Sequence, residues 1–305
     1  VAHVDDYEVP AAPLQQLLQG CPSLAHLSFK ATAVHQDALE VILTHGTNIT
    51  SLVASNLAPD SSIAGRTVAW RNLVLVNEDW PTVLHLANLP LQTVTSLQLS
   101  QDPVAGLGDL ELPISSVPSD QLPGLLLQAT TNLGGCPAWQ SKPAAQIALY
   151  DDSPIDDDDT PATICFDTEQ GLQLMHALAP LGGPHVKACV LNMDGCSIEL
   201  GRAEVAALAQ SLGKGLMSLR LSHCSLEAGF WGALHDALPS LQLLVLEEQV
   251  TCSAADVGIF CGRRCASGRP FLLRMSDAVY EPCEGDELQQ GLVAQGLTRM
   301  KLRKC

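Results

Sequence analysis

The sequence predicts an α/β fold built as an array, with short parallel strands stacked side by side in one sheet and a helix after each strand on the opposite side. Three observations predict it. A six-residue apolar pattern recurs ten times along the 305 residues. Between copies the apolar spacing changes from alternation to a helical period. Leucine alone supplies 50 residues, a bias that favours a recurrent unit over an ordinary mixed core.

The unit is Leu-x-x-Leu-x-Leu, with other apolar residues substituting. It reads Leu24, Leu27, Phe29, then Ile49, Leu52, Ala54, then Trp70, Leu73, Leu75, then Val94, Leu97, Leu99. It resumes as Ala144, Ile147, Leu149 and Val186, Cys189, Leu191. The last four copies are Leu216, Leu219, Leu221; Leu241, Leu244, Leu246; Pro270, Leu273, Met275; and Leu297, Met300, Leu302. Spacings between central residues are 25, 21, 24, 50, 42, 30, 25, 29 and 27. Most lie at or near the roughly 20–29 residues that one such unit occupies. The two long intervals predict insertions at about 101–143 and an acidic loop at about 151–166.

Helical periodicity fills the gaps. Val205, Leu208 and Leu212 share one face, as do Phe230, Leu234 and Leu238. Comparable stretches run over 14–18, 39–43, 122–130, 172–178, 257–265 and 288–293. Asp167 ahead of Gln170, and Ser253 ahead of Asp256, place short acceptor side chains where first-turn amides need partners. In each strand the first, fourth and sixth residues point into the array, and the second, third and fifth point outward. Neither strand nor helix can bury its apolar stripe alone, so each unit is stable only against its neighbours. One array spanning 1–305 follows.

At this level of detail the chain resembles the leucine-rich repeat family. Leu216-Met-Ser-Leu219-Arg-Leu221-Ser-His-Cys224-Ser-Leu226 looks like a full motif of that family. Gly20-Cys21-Pro22-Ser23-Leu24 resembles the junction of the cysteine-containing subclass found in F-box proteins, and the longer units look like the ribonuclease-inhibitor subclass. The resemblance implies a leucine-rich repeat solenoid of about ten repeats, with a concave parallel β-sheet and convex helices. It also implies a non-enzymatic interaction scaffold or a structural subunit of a larger assembly. The alternative it implies is the substrate-receptor arm of a ubiquitin ligase, whose F-box segment this sequence does not display.

Composition narrows the partners. The 16 Lys+Arg and 33 Asp+Glu leave a net charge of −17, which disfavours nucleic acid. At 47% hydrophobic the chain is too apolar for disorder, and no uncharged apolar run reaches bilayer length. The charge is uneven. Residues 1–186 carry 4 basic and 20 acidic side chains, whereas 187–305 carry 12 and 13. Eleven cysteines without regular spacing read as free thiols of an intracellular, cytoplasmic protein.

No nucleophile elbow, phosphate loop, metal-ligand spacing or cofactor motif stands out, so no enzyme activity, metal or cofactor is expected. The six carboxylates within Asp151–Asp159 read as a solvated loop. The informative surface is the outward column of the strands, which ends in Arg220, Val245, Arg274 and Lys301. Arg299 and Arg303 flank Lys301, and Phe271 is placed beside Arg274. Clustered cations with apolar neighbours suit a protein partner bound on the concave face. No capping helix follows Leu302, so the expectation is either that this sequence is part of a longer chain or that another subunit covers that end.

Overall fold

The computed structural model describes residues 7–58, 63–76, 83–100, 110–114, 120–150, 164–193, 196–227, 229–247, 250, 252–268 and 270–275. Each motif copy from Leu24 to Met275 forms a β-strand; the copy around Met300, and the helical stretch at 288–293, lie outside the described residues.

The chain begins with β1 (Tyr7–Glu8), α1 (Ala11–Gly20), β2 (His26–His35), α2 (Gln36–His45), β3 (Ser51–Ala58) and β4 (Asn72–Val76). It continues through α3 (Val83–Asn88), β5 (Ser96–Ser100), β6 (Leu110–Pro113), α4 (Leu122–Gly134), α5 (Pro137–Gln140) and β7 (Ala145–Tyr150). Next come β8 (Ile164–Phe166), α6 (Thr168–Ala177), a 3-10 turn (Ala179–Leu181), β9 (Val186–Asn192), β10 (Cys196–Leu200) and α7 (Arg202–Leu212). The last described elements are β11 (Ser218–Ser222), β12 (Cys224–Leu226), α8 (Phe230–Ala237), β13 (Leu243–Leu246), α9 (Ala254–Ala266) and β14 (Leu272–Met275). Two compact units divide the chain: Val1–Gly106 with Gly124–Pro143, and Leu107–Pro123 with Ala144–Cys305.

The first unit holds a five-stranded parallel sheet in the order β1-β2-β3-β4-β5. Its register follows the motif, with Leu27, Leu52, Leu73 and Leu97 opposite one another. Backbone bonds step from one copy to the next just before each strand: Thr50 N–H to Ala25 O at 2.8 Å, Arg71 to Thr50 at 2.7 Å, Thr95 to Arg71 at 2.9 Å. Side chains support the same stacking. The Asn48 amide donates to Pro22 O at 2.8 Å, and the buried Asn132 amide on α4 donates to Leu86 O and Leu89 O at 2.7 and 2.6 Å. These bonds satisfy loop carbonyls that would otherwise be stranded between neighbouring copies.

The second unit holds a six-stranded parallel sheet, β14-β13-β11-β9-β7-β6, and a three-stranded one, β12-β10-β8. Strand, short strand and helix recur three times, in β7-β8-α6, β9-β10-α7 and β11-β12-α8. Leu110, Ile147, Cys189, Leu219, Leu244 and Leu273 align across the larger sheet. The inward leucines of β11 and β13, at 219, 221, 244 and 246, are at most 1% exposed. Asp167 starts α6 as the sequence suggests: its carboxylate accepts from Gln170 N–H at 2.8 Å, and the Gln170 side chain accepts from Asp167 N–H at 3.2 Å.

Two features depart from the sequence reading. The interval 101–143, read as an insertion, contains β6, α4 and α5, and β6 pairs in register with β7. Leu107-Gly-Asp-Leu110-Glu-Leu112 is in fact another copy of the motif. The short second sheet was likewise unforeseen. In it Cys224 lies opposite Ile198, whereas in the larger sheet Leu219 lies opposite Cys189, so the path between equivalent positions is four residues longer from β9 to β10 than from β11 to β12.

Only 4% of the chain is aromatic, yet Phe230, Trp231, Phe260 and Phe271 are in mutual contact, with successive ring centroids 5.2–5.3 Å apart. The Arg264 guanidinium lies over Phe260 at 5.4 Å and Phe271 at 5.6 Å. This cluster ties α8 and α9 to the start of β14.

Candidate interaction surface

Residues of the six-stranded sheet that alternate with the aligned leucine positions form three rows on the opposite, outward face. One row is Gln146, Ala188, Ser218, Leu243 and Leu272; the next is Ala148, Val190, Arg220, Val245 and Arg274. The third includes Tyr150, Asn192 and Ser222, with Glu247 following β13. Ala148 and Val190 are buried, whereas the β11–β14 end is open: Leu272 is 42% exposed, Arg274 is exposed, and Leu243 and Val245 are half-buried.

Arg220 and Glu247 form a two-pronged ion pair across neighbouring strands, with Nε to Oε2 at 2.6 Å and Nη2 to Oε1 as the second bond. The pair is part-exposed, which limits its contribution to about 1 kcal/mol. Its stronger effect is geometric, since a fork of this kind fixes the guanidinium plane. Beside it, His223 Nδ1 lies 3.2 Å from Ser222 Oγ and 3.3 Å from Asn192 Oδ1. His223 has φ +56°, the left-handed turn that redirects the chain from β11 into β12 after one residue. That strain is accounted for by the change of sheet.

The sequence-predicted residues separate as follows. Arg220 and Arg274 share the outward face. Phe271 does not: it has the parity of Leu273 and Met275, and it packs edge-on against Phe260 of α9. Leu272 is the apolar residue that accompanies Arg274 on the outward face. Reading Phe271 outward followed from counting positions from Pro270, which precedes the strand proper. Arg299, Lys301 and Arg303 lie outside the described residues.

Three buried thiols among the described residues are held in the protonated, unreactive form. Burial pushes Cys189 and Cys224 up to about 12 and raises Cys136 as well. Among the described residues no cluster of His, Cys, Asp or Glu has a metal-holding arrangement, and no helix is long and apolar enough to cross a membrane. In the first unit a cavity of about 290 Å³ is walled by Ile42, Leu43, Thr47, Thr67, Val68 and Trp70, with no ionisable side chain among its lining residues.

One acidic cluster is electrostatically unusual. At the start of α7 the buried Glu204 accepts Gly201 N–H at 2.8 Å, and an added Cβ on Gly201 would lie 2.7 Å from Glu227 Oε2. A hydrogen bond that the protonated Glu227 carboxyl donates to Glu199 raises the pKa of Glu227, helped by desolvation and by the charges of Glu199 and Glu204. Arg202, also at the start of α7, is exposed beside the same turn. Because the folded state holds this proton more tightly than the unfolded chain, the contribution is full below the unfolded carboxyl pKa of about 4.3 and fades as pH rises through the folded value. Glu227→Gln is expected to flatten that part of the profile. Melting temperatures recorded between about pH 4 and pH 7 check it; parallel curves for the two proteins would refute it.

No protein-family model matches this sequence, and no curated protein does.

Proposed function

We propose that this chain is a leucine-rich repeat interaction protein, without enzymatic activity, that binds another protein on the outward face of its six-stranded sheet. The motif register across both sheets supports the family reading. The observation that carries the binding role is the open end of that face, where Leu243, Val245 and Leu272 sit among Arg220, Glu247 and Arg274. Apolar surface beside arginine is the composition of an interface centre. An intracellular setting is supported by the free thiols of Cys21, Cys136, Cys189 and Cys224.

The test changes the face without touching the core. Leu243→Asp with Leu272→Asp should lose the protein recovered by the wild type from the native source, with an unchanged circular dichroism spectrum. Equal recovery by both proteins would sink the proposal.

A further inference from the structure

Glu247 lies diagonally between two arginines, because Val245 stands opposite Arg220 on one side and Arg274 on the other. Both of its carboxylate oxygens are taken by Arg220. The trio therefore keeps one positive charge, and it resides on Arg274, which is exposed and has no ion pair among the described residues. One row away on the same strand is Leu272, directly opposite Leu243 on β13. A single cation and a two-leucine apolar patch thus lie two residues apart along one strand, roughly 7 Å.

We propose that this end of the sheet takes an extended partner segment that sets a carboxylate on Arg274 and, two residues away, an aliphatic or aromatic side chain on Leu243 and Leu272. The inference rests on the binding role proposed above and specifies the chemistry of what binds. An extended chain presents side chains i and i+2 on one face at the same spacing of roughly 7 Å, so the two anchors match in distance as well as in character. The occupant is a local acidic–apolar motif and not a polyanion, which the net charge of −17 would repel at long range. The Arg220–Glu247 fork borders the patch and gives it a fixed edge.

The probe is a displayed library of random linear peptides, selected on the purified chain and on Arg274→Glu and Leu272→Ser, each variant first matched to the wild type by circular dichroism. Peptides retained by the wild type are expected to carry Asp or Glu two residues from Leu, Ile, Val or Phe. They should lose affinity on Arg274→Glu by about 100-fold, and the Arg274→Glu protein should select Lys or Arg at the acidic position. Peptides that depend on Leu272 but show no acidic enrichment, and bind Arg274→Glu equally well, overturn the acidic motif while leaving the binding face intact. Peptides indifferent to both substitutions overturn the motif and the face together.

Discussion

Arg264→Ala is expected to destabilise the second unit by about 3–5 kcal/mol, lowering its melting temperature by on the order of 10 °C. Arg264 is only 1% exposed, an unusual burial for a charged side chain. Its Nη2 donates to Leu234 O at 3.0 Å and Leu238 O at 2.8 Å, and its Nη1 to Pro239 O at 3.4 Å. These carbonyls lie at and just beyond the C-terminal end of α8, where the helix dipole favours a cation; Leu234 O and Leu238 O also accept the Leu238 and Leu241 N–H groups at 3.3 and 3.2 Å. The guanidinium also rests on Phe260 and Phe271, so desolvation is offset by three acceptors and two ring faces. Alanine removes three charge-assisted bonds and opens a void among the rings. Arg264→Lys should recover less than half of the loss, because an ammonium cannot spread planar donors over three carbonyls while stacking on two rings. Arg263→Ala, one residue earlier on the exposed face, should stay within about 0.5 kcal/mol of the wild type. Chemical denaturation of the three variants decides the matter, and equal effects at 263 and 264 would refute the capping role.

How much of this was legible in the sequence depends on which residues carry each feature. The strands of the larger sheets were readable because their pattern is local: within each sheet the fourth-position residues, Leu27 to Leu97 and Ile147 to Leu273, fall opposite one another. The α6 start was readable for the same reason, since Asp167 and Gln170 form a cap within one turn. Strand β6 was missed although Leu107, Leu110 and Leu112 carry the signal, because the interval to Leu97 is only half the usual spacing. The short sheet left no such trace. Its strands are three to five residues long and held by register with one another, a condition that no single segment displays. Arg264 could not have been found, since its acceptors lie 25 to 30 residues upstream. On the outward face Arg220 and Arg274 fall where the period puts them, whereas Phe271 packs against Phe260. Strand parity held, but the strand begins at Leu272 and not at Pro270.

Gly182→Ala is the second substitution with a large expected effect, about 3 kcal/mol or more. Gly182 closes the 3-10 turn that precedes β9, and its φ of −63° is open to any residue, so conformational freedom is not the reason for glycine here. The reason is proximity. A Cβ built at this position would lie 1.8 Å from Ser211 O in α7 and 3.2 Å from Ala179 O. Ser211 O belongs to helix backbone and cannot rotate aside as a side chain does. Relief to an ordinary contact of 3.4 Å requires the turn and α7 to separate by roughly 1.6 Å. That separation would open the packing around Leu181, Leu208 and Leu212, all at most 3% exposed. Gly232→Ala in α8 supplies the opposite sign within the same unit. Nothing lies within 4 Å of its added Cβ, and alanine in a helix should add about 0.5–1 kcal/mol. Thermal unfolding of the two alanine variants should therefore move in opposite directions. A Gly182→Ala protein that melts with the wild type would mean that the turn and α7 do not touch, and the alignment of β9 with its neighbours would need another cause.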